Sequence, residues 1–522
     1  MDSLVFAASA RRFALVALPC LAAVLSAPAS QSAAAQSAAT GSASTAPCNR
    51  RTYSIMLDGK PLELSRARIS ALPFNRVWPG YQRSLDQTRM AAFAQIDLAR
   101  PAELAIRFAQ GAPSVARILP MSRKGKLEAH DGVFTLRLEE PEQLIVDFGA
   151  EAEPLHLFVN ATWTYSPRPG DIYFGPGEHD AGVIMPKAGQ RVVLDHGAVV
   201  YGSIFVYRAD DVTVTGRGIL DSSRVSRQEP AARQVRKALG LPEFDTEEAC
   251  GAFSVWSSNR FRLDGIVIRD TPFWSLIVRN GCRDVVIDNV KVIGQWRYNS
   301  DGFDICASQD VVIRRSFLRT FDDCIVARAA YLDGETTPVR NLLVEDCNLW
   351  CDWGKNMEVW AGHLPALIEN VVYRKCRLLN VAHIPADVTT WYGSRETCIR
   401  GVVFEDIELD LIPGRVREVF QESDDQVFVG EPWPEQKLFE ISAQAPARNL
   451  GNQGHDYAGD FSDYRLAYDD VTIRNFTVYG QKLPFVGVVE TAHPVQKIRG
   501  VKVEGLPEFT ARTRGDVELI RR

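Results

Sequence analysis

The feature that most constrains this chain is a unit that recurs from residue 261 onward. It reads Phe261-Arg262-Leu263-Asp264-Gly265-Ile266-Val267-Ile268 and returns at 285–292, 311–318, 342–349, 371–378, 402–409 and 471–478. Its third position falls at 263, 287, 313, 344, 373 and 404, in steps of 24 to 31. Self-similarity of this kind marks a solenoid. The units are β-branched, alternate with period two and contain no helical pattern of ten residues or more. An all-β fold is expected: a right-handed parallel β-helix over residues 170–515, each coil laying its strands on the last so that inward side chains stack into one core. Two stretches break the period, 222–250, with a short helical pattern at 231–239, and 412–469. Long insertions in a solenoid often carry a binding site. A solvated loop without a role is the alternative.

Ahead of the repeats the style differs. Residues 51–57, 93–98, 104–108, 132–138 and 144–148 are short alternating runs separated by turn residues. They predict a small antiparallel β-sandwich over 47–165, with the proline-rich 166–170 as a hinge. Arg11 and Arg12 precede an apolar run at 13–25 and small residues after it, which reads as a signal peptide over 1–29, then a flexible linker at 30–46. The apolar run is short for a membrane span. Export follows, to periplasm or medium, with no membrane partner.

The net charge of -6 gives no basic stripe for nucleic acid. Of ten cysteines, nine remain without Cys20, so at least one thiol is unpaired or bonds another chain. Cys282, Cys347 and Cys376 fall inside repeat units and read as small core residues. No Cys/His spacing resembles a zinc site, and no cofactor is expected.

Three carboxylates stand out within the repeats. Asn299-Ser300-Asp301-Gly302-Phe303-Asp304 is followed by Phe321-Asp322-Asp323-Cys324, so Asp322 and Asp323 lie 21 and 22 positions after Asp301. One coil of that length returns the chain to the same angular position, with strands ~4.8 Å apart. Asp301 and Asp323 then become neighbours, with Asp322 beside them. Crowded acids raise one another's pKa and suit acid/base work. Ordinary Asp turn chemistry is the bland alternative for either pair taken singly. Calcium binding is another.

These strings resemble the NTDG and QDD motifs of the polygalacturonases, glycoside hydrolase family 28. Residues 173–221 resemble both those enzymes and the dextranases and isopullulanases of family 49, which also set a β-sandwich before the β-helix. The resemblance covers roughly residues 170–410. It implies an inverting hydrolase acting on a polysaccharide or oligosaccharide. Asp322 would be the general acid, and Asp301 and Asp323 would hold and activate a water, metal not being required. It also implies a disulfide between Cys324 and Cys351. Two departures bear on substrate. Gly354-Lys355-Asn356 stands where the family has Gly-His-Gly, and residues 384–391 have no cation where the family has an Arg-Ile-Lys motif that grips the galacturonate carboxylate. A uronate site needs such a cation, so a neutral glycan is slightly favoured over polygalacturonate.

Asn299, Trp353, Lys355 and Trp391 are the candidate substrate-binding residues. Trp350, Trp353, Trp360 and Trp391 offer faces for sugar rings, although core packing is expected to claim at least two. Lys355 would bind substrate or hold a carboxylate ionised. His363 and His383 lie nearby and read as structural. A β-helix polysaccharide lyase and a noncatalytic glycan-binding solenoid are the competing readings. The sugar, the linkage, endo or exo action and the oligomeric state are not encoded legibly.

Overall fold

The computed structural model describes residues 51–71, 85–226, 237, 239–240, 251–329, 337–362, 366–382, 384–390, 396–414, 416–417, 431–443, 465–491 and 497–522. The signal and linker readings, and most of 231–239, lie outside them.

Twenty-nine strands from Ile172–Phe174 to Val517–Arg521 form one continuous stacked sheet in which each strand pairs in parallel with its counterpart a coil later. This is the expected parallel β-helix. Period-two alternation builds its core. On the strand Ile325–Ala329, Ile325, Ala327 and Ala329 point inward, and on Lys355–Ala361, Met357, Val359 and Ala361 do so. Cys282, Cys347 and Cys376 join the same core as buried thiols. No helix among the described residues is long and apolar enough to cross a membrane.

The stretch 412–469 is not one insertion. Gln436–Ala443 is a full strand of the β-helix, paired with Ile384–Thr390 through Asp387↔Glu440 and Val388↔Ile441. Its alternation sends Phe439, Ile441 and Ala443 to the core. Arg465–Gly480 then resumes the stack.

Ahead of the β-helix lie two five-stranded sheets. One runs Lys60–Leu62, Tyr53–Leu57, Ala102–Phe108, Val133–Leu138, Glu128–His130. The other runs Ser65–Ser70, Thr88–Leu98, Leu155–Ala161, Glu142–Asp147, Arg117–Leu119. The second is mixed, because Leu155–Ala161 pairs in parallel with Thr88–Leu98. In the first sheet, Ala102–Phe108 alternates between buried and exposed faces, as a half-buried strand should. The second sheet is covered on both sides. Leu155, Leu157 and Val159 face the sandwich core, whereas Phe158 faces the β-helix and packs with Phe93, Leu119, Ile145, Ile219, Val267, Ile293 and Phe317.

Polar contacts run through this interface as well. Buried His156 takes a hydrogen bond from Arg319 on Nε2 (3.1 Å), and its Nδ1 lies 3.2 Å from the Ala92 carbonyl. Burial, then the Arg319 charge, pushes its pKa down, so the ring is neutral, with the proton on Nδ1. The fully buried Lys291 ammonium reaches Asn160 across the same boundary. The proline-rich 166–170 is not a free hinge. Arg191 binds the Ser166 carbonyl (2.6 Å), and the Arg168 amide caps Asp171 (2.9 Å).

An apolar interface of this kind makes the two parts one cooperative unit. Phe317→Ala is expected to cost about 3–5 kcal/mol and to lower the midpoint of a single denaturant transition seen by fluorescence and circular dichroism alike. Two resolved transitions in the parent protein would show that the sandwich and the β-helix unfold independently.

Candidate active site

The acids sit in turns that connect one coil's last strand to the next coil's first. Asp301 precedes the strand Phe303–Cys306, and Asp322 and Asp323 precede Ile325–Ala329. The register Phe303↔Ile325 sets Asp301 one coil before Asp323. Backbone hydrogen bonds carry the stacking through the turn itself: Ser275 N to Asp301 O (2.9 Å), Gly302 N to Asp323 O (2.8 Å) and Cys324 N to Lys355 O (2.9 Å).

The small residues here are demanded by sterics. Asn299 has a left-handed φ of 54°, which asparagine tolerates better than most residues. A Cβ on Gly302 would strike the Cys324 carbonyl, and one on Gly354 would strike the carboxylate oxygens of Asp322 and Asp323. Gly354 thus lets the next coil close against the acids.

Asp301, Asp322 and Asp323 are 3%, 7% and 5% exposed. Burial is the main cause that raises all three pKa values, with Asp322 pushed up to about 6 and the other two well above the usual carboxylate range. Asp301 feels the charges of Asp322, Asp304 and Asp323, opposed by Arg328. Such a cluster sheds its protons as a unit, so position rather than the order of these shifts distinguishes the members. The Lys355 amide donates to Asp323 Oδ1 (2.7 Å), and the Lys355 ammonium sits 2.8 Å from Glu358 Oε1 and 3.8 Å from Asp323 Oδ1. Lys355 therefore holds carboxylates.

Trp353 is half-buried. It stacks on Phe321 at 5.5 Å and meets Tyr298 at 6.0 Å. Asn299 is half-buried in the turn just before Asp301. Trp350 belongs to the apolar interface with the sandwich, its indole N–H bonded to Asp352 (2.7 Å). Trp360 is buried against Arg328. Trp391, His363 and His383 lie outside the described residues. Cys324 and Cys351 are not joined as the resemblance implied. Both are buried free thiols that hydrogen-bond each other, with the Cys351 thiol also donating to the Asp322 carbonyl (3.2 Å).

The strands also bring forward charged residues that the motifs did not single out. Their outward positions form two rows in register. Asp304, Val326, Glu358, Asp387 and Glu440 make one, and Cys306, Arg328, Trp360, Thr389 and Ser442 the other. Asp304 is pushed up to about 7, chiefly by burial. Burial would raise Glu358 too, but Lys355 and Arg328 outweigh it and its pKa is lowered. Asp387, 2% exposed, is raised well above its usual range by burial and then by its row neighbours Glu358 and Glu440. Its Oδ1 has no hydrogen-bond partner. The signal for these residues was present, since outward positions alternate with core positions, but it requires the coil register. No group of three or more His, Cys, Asp or Glu side chains arranged to hold a metal occurs among the described residues.

Residues 207–333 match the model of glycosyl hydrolases family 28. A probable polygalacturonase of Arabidopsis thaliana is 28% identical over 130 residues, which cover 20% of this chain and 28% of that relative. An exopolygalacturonase of Cochliobolus carbonum is 22% identical over 201 residues, covering 37% and 40%. The chain thus spans less than half the length of these two relatives. Among solved structures, Dex49A from Penicillium minioluteum aligns with a TM-score of 0.50 at 13% identity, over 83% of this chain and 90% of that one. At that identity the likeness is one of fold. The resemblance to the β-helix glycoside hydrolases is borne out by the family model, over a segment that holds all three acids.

Proposed function

We propose that this chain is an exported, inverting glycoside hydrolase that cleaves glycosidic bonds of a polysaccharide or oligosaccharide, a neutral glycan being favoured over polygalacturonate. The observation that carries this reading is the buried cluster of Asp301, Asp322 and Asp323, drawn from two adjacent coils. Asp322 gives its proton to the glycosidic oxygen as the bond to the anomeric carbon breaks. Asp301 and Asp323 hold a water on the opposite face of the ring and take its proton as its oxygen attacks. One water is consumed, and the configuration at carbon inverts. Trp353 and Tyr298 are apolar faces beside the acids for sugar rings. Export rests on Arg11, Arg12 and the apolar run that follows.

The preference for a neutral sugar is supported by the acids of the outward row. Beyond the catalytic coils, the outward row reads Glu358, Asp387, Glu440. Lys355 and Lys437 are taken up by Glu358 (2.8 Å) and Glu440 (2.6 Å). A uronate carboxylate brought to Asp387 would find Lys355 and Lys437 already engaged by Glu358 and Glu440, whereas sugar hydroxyls would find a carboxyl able to exchange hydrogen bonds.

Asp322→Asn is expected to lower kcat about 10²–10⁴-fold with unchanged circular dichroism. In the parent enzyme kcat should fall as pH rises through about 6, because a general acid must keep its proton. Reducing-sugar release across a polysaccharide panel reads both effects, and near-parental activity in the variant would remove Asp322 from the acid role.

Proton magnetic resonance of the first-formed product should show the inverted anomer. A retained anomer would mean that one carboxylate attacks carbon, and an unsaturated, ultraviolet-absorbing product would mean a lyase.

Kinetics on matched neutral and uronate oligosaccharides should favour the neutral series. A uronate preference that is abolished by replacing Arg415 or Arg417 would show instead that the carboxylate grip has moved into the loop.

A further inference from the structure

Arg328 is a buried cation that lies against three acids of the site. From the strand that follows Asp322 and Asp323, its guanidinium lies 3.1 Å from Asp304, 3.7 Å from Asp301 and 3.9 Å from Glu358. Two indoles hold it, with Trp274 and Trp360 ring centroids 4.6 and 4.9 Å from its Cζ. Trp360 is its register partner one coil on, and Trp274 comes from the turn before Leu276–Arg279. The side chain is 9% exposed. A planar, delocalised cation suits a slot between aromatic faces and stays charged when buried, which an ammonium need not.

Three acids in one buried cluster resist ionising together, yet a hydrolase needs one of them ionised to activate water. Asp301 faces Asp322 and Asp323 from the next coil, Asp304 from its own strand, and Arg328. Lys355 is committed to Glu358 and Asp323, and the charge of Arg279 acts on Asp304. Arg328 is thus a cation placed against Asp301, 3.7 Å away.

We propose that Arg328 is a positioning residue for hydrolysis, clamped between Trp274 and Trp360 so that its charge favours the ionised form of Asp301 beside a still-protonated acid. This rests on the hydrolase reading above. The guanidinium transfers no proton and touches no substrate. Its effect on the reaction is exerted through Asp301, with Asp304 as its nearest anchoring partner.

The test uses the full chain and two readouts. pH-difference infrared spectroscopy follows the protonated-carboxyl band that is lost in Asp301→Asn, and kcat/KM is measured against pH on whichever glycan the panel identifies. Loss of a neighbouring positive charge raises a carboxyl pKa by roughly one unit or more. In Arg328→Gln, both the band midpoint and the acid limb of kcat/KM should therefore move up by about one pH unit, and Arg328→Lys should bring both back toward the parent. A folded Arg328→Gln with an unmoved midpoint would overturn the proposal and leave Arg328 a structural residue. Should Arg328→Gln not fold, the same change is made in Asp304→Asn, where the buried partners leave together. The double variant must titrate higher than Asp304→Asn alone, and equal midpoints overturn the proposal. If no glycan is turned over, the hydrolase reading fails, while the infrared midpoint still decides whether Arg328 sets the ionisation of Asp301.

Discussion

Everything in this molecule depends on the hydrogen bond from one coil to the next. The bonds from Ser275 N to Asp301 O, from Gly302 N to Asp323 O and from Cys324 N to Lys355 O continue the strand ladder through the very turns that carry the acids. They convert a separation along the chain into a fixed lateral spacing. Gly302 and Gly354 are what permit it there, because any side chain would force the coils apart at the acids.

That spacing has an electrostatic cost. Carboxyls drawn from neighbouring coils are brought close whether or not their charges agree, and burial raises their pKa values further. A carboxyl whose folded pKa lies above its unfolded value stabilises the fold at low pH and loses that contribution as pH rises through the interval between the two. The clustered acids therefore weaken the fold toward neutrality. Arg328 and Lys355 offset part of this, and the interface between Phe158, Phe317 and their neighbours adds buried apolar surface to the fold.

Much of this was legible from residues alone, for physical reasons. Alternation and a recurring unit specify a parallel β-helix, and the distance from Asp301 to Asp323 matches a coil, so their meeting could be read without coordinates. The strand Gln436–Ala443 was not read, because polar sequence on both sides hides its alternation. The strand Leu155–Ala161 was hidden for the opposite reason: buried on both faces, it shows no alternation at all. Arg328, Glu358 and Asp387 escaped because their meaning lies in register across coils of unequal length. The thiols of Cys324 and Cys351 show the limit of resemblance, since a shared position did not carry a shared bond.

The outward rows carry a consequence for how such a protein can change. The proposed catalytic acids belong to the coils of Asp301 and Asp322–Asp323, whereas Asp387 and Glu440 belong to later coils. On the proposed reading, chemistry and substrate preference are thus written on separate rungs of one ladder. A rung can be rewritten on its outward side while its inward side, Ala386 and Val388 in the case of Ile384–Thr390, goes on filling the core unchanged. The architecture offers inheritance in units of a single strand: under the proposed function, a new sugar can be acquired by altering one outward row, with the proposed catalytic acids left as they were.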